Sequence, residues 1–221
     1  MPDSHEIEHG ERFDRIADQY DQTPDQYPIR GQVRDEAIRV VQSLGSQRVL
    51  DAGCGTGTVL LELASFITHG IGIDVSKRML EVADHKRAVA KITNVNFAFG
   101  SLMDLSTDFL RQNNLPLQDA ILSTYAMHHL PQAAKENLVS RLAPMLTQGG
   151  SLVVGDLIFF DSPSKYQEDF PLVGYDPDND DPENIDALEA MLKRAQLETR
   201  FIKVHPLAGV LIGTRHEEQT H

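Results

Sequence analysis

The chain has 221 residues, 41% of them hydrophobic, enough to bury the core of one ordinary domain. Asp and Glu number 33 against 20 Lys and Arg, and the resulting charge of −13 argues against broad binding to nucleic-acid backbones or anionic membranes. Cys54 is the single cysteine, which excludes an intrachain disulfide and a Cys-cluster metal site. No stretch approaches the ~20 apolar residues of a membrane span. The N-terminus, Met1 to Glu6, is polar and acidic with no basic segment ahead of an apolar one, so the expected setting is the cytoplasm.

Residues 1–10 are polar and expected to be mobile. Phe13, Ile16, Ala17 and Tyr20 then fall on one stripe of a short amphipathic helix, which Pro24 and Pro28 interrupt. A second helix, from about Arg30 to Leu44, puts Val33, Ala37, Ile38 and Val41 on one side. Val49-Leu50 opens a short strand that runs into Asp51-Ala52-Gly53-Cys54-Gly55-Thr56-Gly57, and a helix with Val59, Leu60 and Leu63 follows. Residues 70–75 read as a second buried strand, with Ser76 as N-cap of the next helix.

Val95 to Phe99 is a third strand and Asp119 to Tyr125 a fourth. A helix from Pro131 to Leu146 is expected to stop at Gly149-Gly150, before a fifth strand from Ser151 to Ile158. Residues 156–186 carry ten acidic residues against Lys165 alone, and their middle reads as an exposed insertion. Asp181-Pro182-Glu183 looks like a helix start. Two last strands, joined through Pro206, read as a hairpin. Strands alternating with helices imply a parallel sheet covered on both faces. The expected division is a mobile terminus at 1–10, lid helices at 11–45, one α/β domain at 46–215 with the acidic insertion at 161–181, and a polar tail at 216–221.

The glycines at 53, 55 and 57 allow a tight turn at a strand end and close approach of a ligand to the backbone. Their spacing is Gly-x-Gly-x-Gly, unlike the Gly-x-Gly-x-x-Gly of a dinucleotide site, and no Gly-Lys-Ser/Thr follows as in a phosphate-binding loop. Asp74 ends the second strand, where a carboxylate can accept hydrogen bonds from both hydroxyls of a ribose. Nicotinamide and S-adenosylmethionine sites share that device, so Asp74 alone does not separate them.

Residues 49–57, 71–76, 97–105, 119–130 and 142–156 resemble the successive motifs of class I S-adenosylmethionine-dependent methyltransferases. Ser123 to Leu130, with His128-His129, is similar to a group of small, largely uncharacterised bacterial members. The resemblance implies a Rossmann-like, seven-stranded, mostly parallel sheet with helices on both faces and an antiparallel last strand. It implies that Gly53, Gly55, Gly57 and the backbone of Ala52 and Cys54 lie against the methionine part of the cofactor, with Asp51 favouring its ammonium. Asp74 would bind the ribose, Val75 and Met79 would flank the adenine, and Gly100, Ser101 and Leu102 would meet its edge. Serine at 101 replaces the usual aspartate and removes charge assistance there. Thr124 and Tyr125 would face the sulfonium, and Tyr20 would belong to the lid.

Methyl transfer from a sulfonium needs no protein nucleophile and needs a base only if the acceptor must lose a proton. His128 and His129 are candidates for that base, or else orient a loop or contact the cofactor. Tyr125 can line the methyl pocket or pack, Asp156 reads as a strand cap, and Cys54 as a small space-filler. Asp176, Asp178 and Asp180 imitate a calcium loop, but Asp181 and Ala187 replace its required glycine and glutamate, so no metal is expected. The expected activity is direct methyl transfer from S-adenosylmethionine to a small-molecule acceptor, leaving S-adenosylhomocysteine, in a monomer or homodimer. The insertion's charge leans that acceptor towards a neutral or cationic molecule. The alternatives are a non-catalytic cofactor sensor or partner subunit, and a nicotinamide-dependent oxidoreductase.

Overall fold

The apolar runs become the strands of one sheet in the computed structural model, which describes residues 4–22 and 27–216. Helix α1 (Ser4–Ile16) and a 3-10 turn (Ala17–Gln22) precede α2 (Pro28–Ser43). There follow β1 (Arg48–Ala52), α3 (Thr58–Leu63), β2 (His69–Asp74), α4 (Lys77–Val89) and β3 (Val95–Phe99). Next come α5 (Thr107–Gln112), β4 (Gln118–Thr124), α6 (Gln132–Leu142), β5 (Leu146–Phe159) and α7 (Phe170–Val173). The chain closes with β6 (Glu183–Asn184), α8 (Ile185–Arg194), β7 (Leu197–His205) and β8 (Ala208–Arg215).

The strand order is β3-β2-β1-β4-β5-β8-β7, with β8 antiparallel to both neighbours and the other pairings parallel. This is the expected α/β sheet with its antiparallel last strand. The two-residue β6, parallel to Ile158–Phe159, is an eighth strand that no sequence pattern signals. From β1 the chain winds outward through β2 and β3, then returns to place β4 on the other side of β1. The carboxyl ends of β1 and β4 therefore open a crevice, the place where such sheets take ligands.

Alternation along the strands makes two cores. Leu50, Ile121, Leu152 and Leu211 face α6 and α8 with Leu138, Leu142 and Leu192. Val49, Ala120, Leu122, Val153 and Val210 face α2 and α3 with Val33, Ala37, Val41, Leu60 and Leu63. No helix among the described residues is long and apolar enough to cross a membrane.

Several expected boundaries move. Helix α1 begins at Ser4, inside the segment expected to be mobile; residues 1–3, Pro24 and all of the expected tail but His216 lie outside the described residues. Helix α6 stops at Leu142 rather than running to Leu146, because Pro144 cannot donate the next helical hydrogen bond and a 3-10 turn takes over. Gly149 and Gly150 consequently lie within β5. Asn184, not Asp181, caps α8, accepting from the Ala187 amide at 2.9 Å. Residues 181–183 are held extended instead: the Asp181 amide donates to the His128 carbonyl at 2.7 Å, and the buried Lys135 ammonium reaches the Asp181 carbonyl and Glu183. Helix α5, capped by Ser106, is an element the sequence reading lacks.

Gly57 enters α3 with φ +73°, and a Cβ there would stand 2.4 Å from the Phe97 ring. The Gly57→Ala substitution is expected to lower stability by roughly 2–4 kcal/mol, from left-handed backbone and overpacking together. Urea unfolding monitored by circular dichroism measures it.

Candidate active site

All three loop glycines adopt positive φ, +82° at Gly53, +51° at Gly55 and +73° at Gly57. Gly53 also approaches the turn after β4 so closely that a Cβ would come within 2.6 Å of Ala126. Here the two strand ends of the crevice touch. The loop and β2 are tied together by Asp74, whose Oδ2 accepts from the Gly55 amide and whose Oδ1 accepts from the Ser76 amide, each at 2.8 Å. Burial raises the Asp74 pKa against the pull of these amides. Ser76 caps α4 as expected, accepting from the Met79 amide at 3.1 Å.

The N-terminal segment roofs this end. Asp14 accepts from the Ser76 hydroxyl at 2.6 Å and from the Arg78 amide at 3.0 Å. Asp21 accepts from the Thr56 hydroxyl at 2.8 Å and pairs with Lys86 at 2.8 Å. Phe13 sits edge-on to Tyr20 and reaches His129, with ring centroids 5.9 Å apart.

At the end of β4, Asp156 governs the geometry. Its Oδ2 accepts from the amides of Met127 and His128 at 3.0 and 3.2 Å, and its Oδ1 from the Leu157 amide at 2.8 Å. The same Oδ1 stands 2.5 Å from His128 Nδ1. Burial pushes the Asp156 pKa up, but His128 and the amides outweigh it and hold the carboxyl ionised. The carboxylate thus anchors a turn and orients an imidazole; it is not the simple strand cap the sequence suggested.

With Nδ1 engaged, His128 Nε2 is left 3.7 Å from Asp180, and His129 Nδ1 lies 3.0 Å from the same oxygen. Asp180 comes from the acidic insertion, yet its side chain is 4% exposed, so this residue does not belong to a solvated loop. Burial raises its pKa, and the hydrogen bond to His129 and the amide of Asp176 bring it below the ordinary value. Burial lowers the His129 pKa against the pull of Asp180. His128, His129 and Asp180 offer ligand-type atoms within 4.8 Å of one another, the kind of trio that can hold a metal or pass a proton.

Tyr125 has φ +49° and a buried hydroxyl with no hydrogen-bond partner among the described residues. Burial raises its pKa, so it stays a phenol. Arg30, from the first turn of α2, lies 4.8 Å from the Tyr125 ring and 5.1 Å from the Tyr20 ring, and donates to the Tyr20 hydroxyl. Burial lowers its pKa, opposed by the field of Tyr125, Asp156 and Asp180.

These groups line one cleft of about 1020 Å³. Of the sequence candidates, Tyr20, Gly53, Cys54, Gly55, Asp74, Val75, Met79, Leu102, Thr124, Tyr125, His128 and His129 face it. Asp51, Ala52, Gly57, Gly100 and Ser101 lie behind that lining. Ser101 is buried and accepts from the Met103 amide at 2.9 Å, capping the turn that presents Leu102. Cys54 packs against Gly72, and burial raises its thiol pKa well above the ordinary value, in keeping with a space-filler. Arg30 and Asp180 were missed: an arginine on a helix and an aspartate in an acidic run both read as solvated surface.

Residues 49–150 match the family described as methyltransferase domain. An uncharacterised methyltransferase of Geobacillus kaustophilus is 32% identical over 152 residues, 68% of this chain and 64% of that protein. The uncharacterised methyltransferase YcgJ of Bacillus subtilis is 29% identical over 123 residues, covering 54% of this chain and 44% of that one. The chain therefore spans less than two thirds of these relatives. Among solved structures, YcgJ superposes with a TM-score of 0.65 at 19% identity, covering 83% of this chain and 99% of that one. DhpI in complex with SAH gives 0.74 at 16% identity, covering 98% and 100%. Fold and sequence agree that this chain carries a class I S-adenosylmethionine-dependent methyltransferase domain and is a homologue of uncharacterised bacterial methyltransferases.

Proposed function

We propose that the chain transfers a methyl group from S-adenosylmethionine directly to a small-molecule acceptor. The observation that carries this reading is a single cleft with the glycine loop and Asp74 at one end and the Asp156-anchored His128 at the other. The DhpI–SAH complex, matched over its full length, supports the choice of cofactor.

The residues present fit such a cofactor. A Cβ on Gly55 would meet nothing within 4 Å, so the bend leaves room for a ligand against the backbone. Asp51 is buried with neither carboxylate oxygen hydrogen-bonded to any described residue, and burial followed by repulsion from Asp74 raises its pKa to about 8. An ammonium close by would relieve that state. When bound, the cofactor supplies a methyl carbon made electrophilic by its sulfonium. Asp74, oriented by two amides, has lone pairs left for the ribose hydroxyls. Val75, Met79 and Leu102 provide apolar walls for the adenine, with Gly100 and Ser101 shaping the strand end behind them. Thr124 and Tyr125 border the transfer site.

The chain's own tasks are to hold the acceptor in line, exclude water beneath the roof, and remove a proton where the acceptor has one to lose. Asp156 holds His128 through Nδ1, which leaves Nε2 as the acceptor of that proton. His129 and Asp180 set its surroundings. Displacement at a sulfonium needs no metal, and the trio is assigned to proton handling. A cleft roofed by α1 and walled by an acidic insertion suits a small molecule better than a nucleic acid.

Three measurements test this reading. The Asp74→Ala variant is expected to bind S-adenosylhomocysteine roughly tenfold or more weakly, a loss of about 1.5–3 kcal/mol, by calorimetry; an unchanged Kd would refute the ribose assignment. With a turned-over acceptor found by homocysteine release, His128→Gln is expected to lose about 10²–10⁴-fold in kcat with S-adenosylhomocysteine affinity unchanged, and dialysis against EDTA to leave the wild-type rate unaltered. Binding without turnover across a broad panel would favour the sensor instead. Asp51 makes a pH prediction. Its folded pKa of about 8 exceeds its unfolded value near 4, so the folded state binds the extra proton and loses stability as pH rises through that window. Asp51→Asn is therefore expected to stabilise the cofactor-free protein at pH 8.5 by a few kcal/mol more than at pH 4.5, read from urea midpoints.

A further inference from the structure

We propose that the acceptor carries an oxyanion, a carboxylate or a phosphate monoester, and that Arg30 is the residue that binds it; this rests on the methyl-transfer reading above. The Arg30 guanidinium is half-buried in the cleft wall, between the faces of Tyr20 and Tyr125. Among the described residues no carboxylate stands within ion-pair distance of it, and its one side-chain hydrogen bond goes to the Tyr20 hydroxyl. A guanidinium has five N–H donors in a planar fork, and removing even part of a cation from water without a counter-ion is costly. Beside it, the Tyr125 hydroxyl is a second buried donor with no partner among the described residues.

The acidic groups of the same cleft are already committed. Asp156 accepts from three amides and from His128, and Asp180 accepts from His129 and the Asp176 amide. Asp176 turns into its own loop, accepting from the Asp178 amide and the Asn179 side chain. Arg34, one turn beyond Arg30, lines the same wall while bonded to Asp35. Arg30 also stands at the positive end of the α2 dipole, which adds to its attraction for an anion. The fork matches two oxygens of a carboxylate or phosphate, and the rings of Tyr27, Phe170 and Tyr175 line the adjoining wall for a carbon framework. The bias towards neutral or cationic acceptors, drawn from the insertion's charge, is thereby reversed inside the cleft: Asp176 and Asp180, the acids of the insertion that line it, are engaged within the protein, whereas Arg30 has no carboxylate partner among the described residues.

The test is calorimetry on the protein saturated with S-adenosylhomocysteine, using benzoate, phenyl phosphate and the neutral benzamide as probes. At least one anion is expected to bind tenfold or more tightly than benzamide, and the tighter of the two identifies the oxyanion. Arg30→Met is expected to abolish that preference with S-adenosylhomocysteine affinity unchanged, and Arg30→Lys, which keeps charge but loses the fork, to retain part of it. Equal binding of all three probes, or anion binding indifferent to both variants, would overturn the proposal while leaving methyl transfer intact. Failure of the wild type to bind S-adenosylhomocysteine, with anion binding and its Arg30 dependence retained, would overturn the methyl-transfer reading alone.

Discussion

One buried carboxylate organises the His128 end of the cleft. Asp156 lies within the buried stretch of β5 and gathers the amides of Met127, His128 and Leu157 together with the His128 ring. Without those four donors a charge in that position would be untenable. With them it locks the turn after β4 to the neighbouring strand, fixes which imidazole nitrogen faces the cleft, and supports the left-handed backbone of Tyr125 just ahead. The glycine loop after β1 depends on the same turn, because Gly53 packs against Ala126 with no space for a side chain between them. The glycine-loop end and the His128 end of the cleft are thus two sides of one packed contact.

How much of this was legible in the sequence follows from the range of each interaction. The glycine spacing, Asp74 at a strand end and the Ser76 cap are local signals, readable within a few residues. The mostly parallel sheet followed from alternation with helices, and its antiparallel last strand from the family resemblance. Interactions between distant segments left no such mark. Asp180 reaches His129 across about fifty positions, and the pairing of β6 with β5 together with the Asp181 amide on the His128 carbonyl carries the insertion there. Two capping residues compete at the start of α8, and contacts of Asp181 with His128 and Lys135 decide for Asn184. Pro144, by contrast, was a readable helix stop that the glycines downstream obscured.

Charge shows the same divide between composition and placement. A chain with a formal charge of −13 and an acidic insertion suggests a surface that repels anions. The fold consumes several of those carboxylates in hydrogen bonds and sets a guanidinium between two aromatic rings inside the cleft. Net charge describes the far field of a protein, whereas recognition of a small ligand is decided within a few ångströms.

The roof over the glycine-loop end of the cleft is held chiefly by polar contacts. It is fastened by Asp14 to the buried Ser76 at the start of α4 and by Asp21 to the threonines of the loop and Lys86, with the two aspartates on the roof side exposed. Fasteners of that kind part more readily than apolar packing does, and they respond to ionic strength. On the cofactor placement proposed above, this fastened edge covers the cofactor end of the cleft, so added salt acts there before it disturbs the apolar sheet.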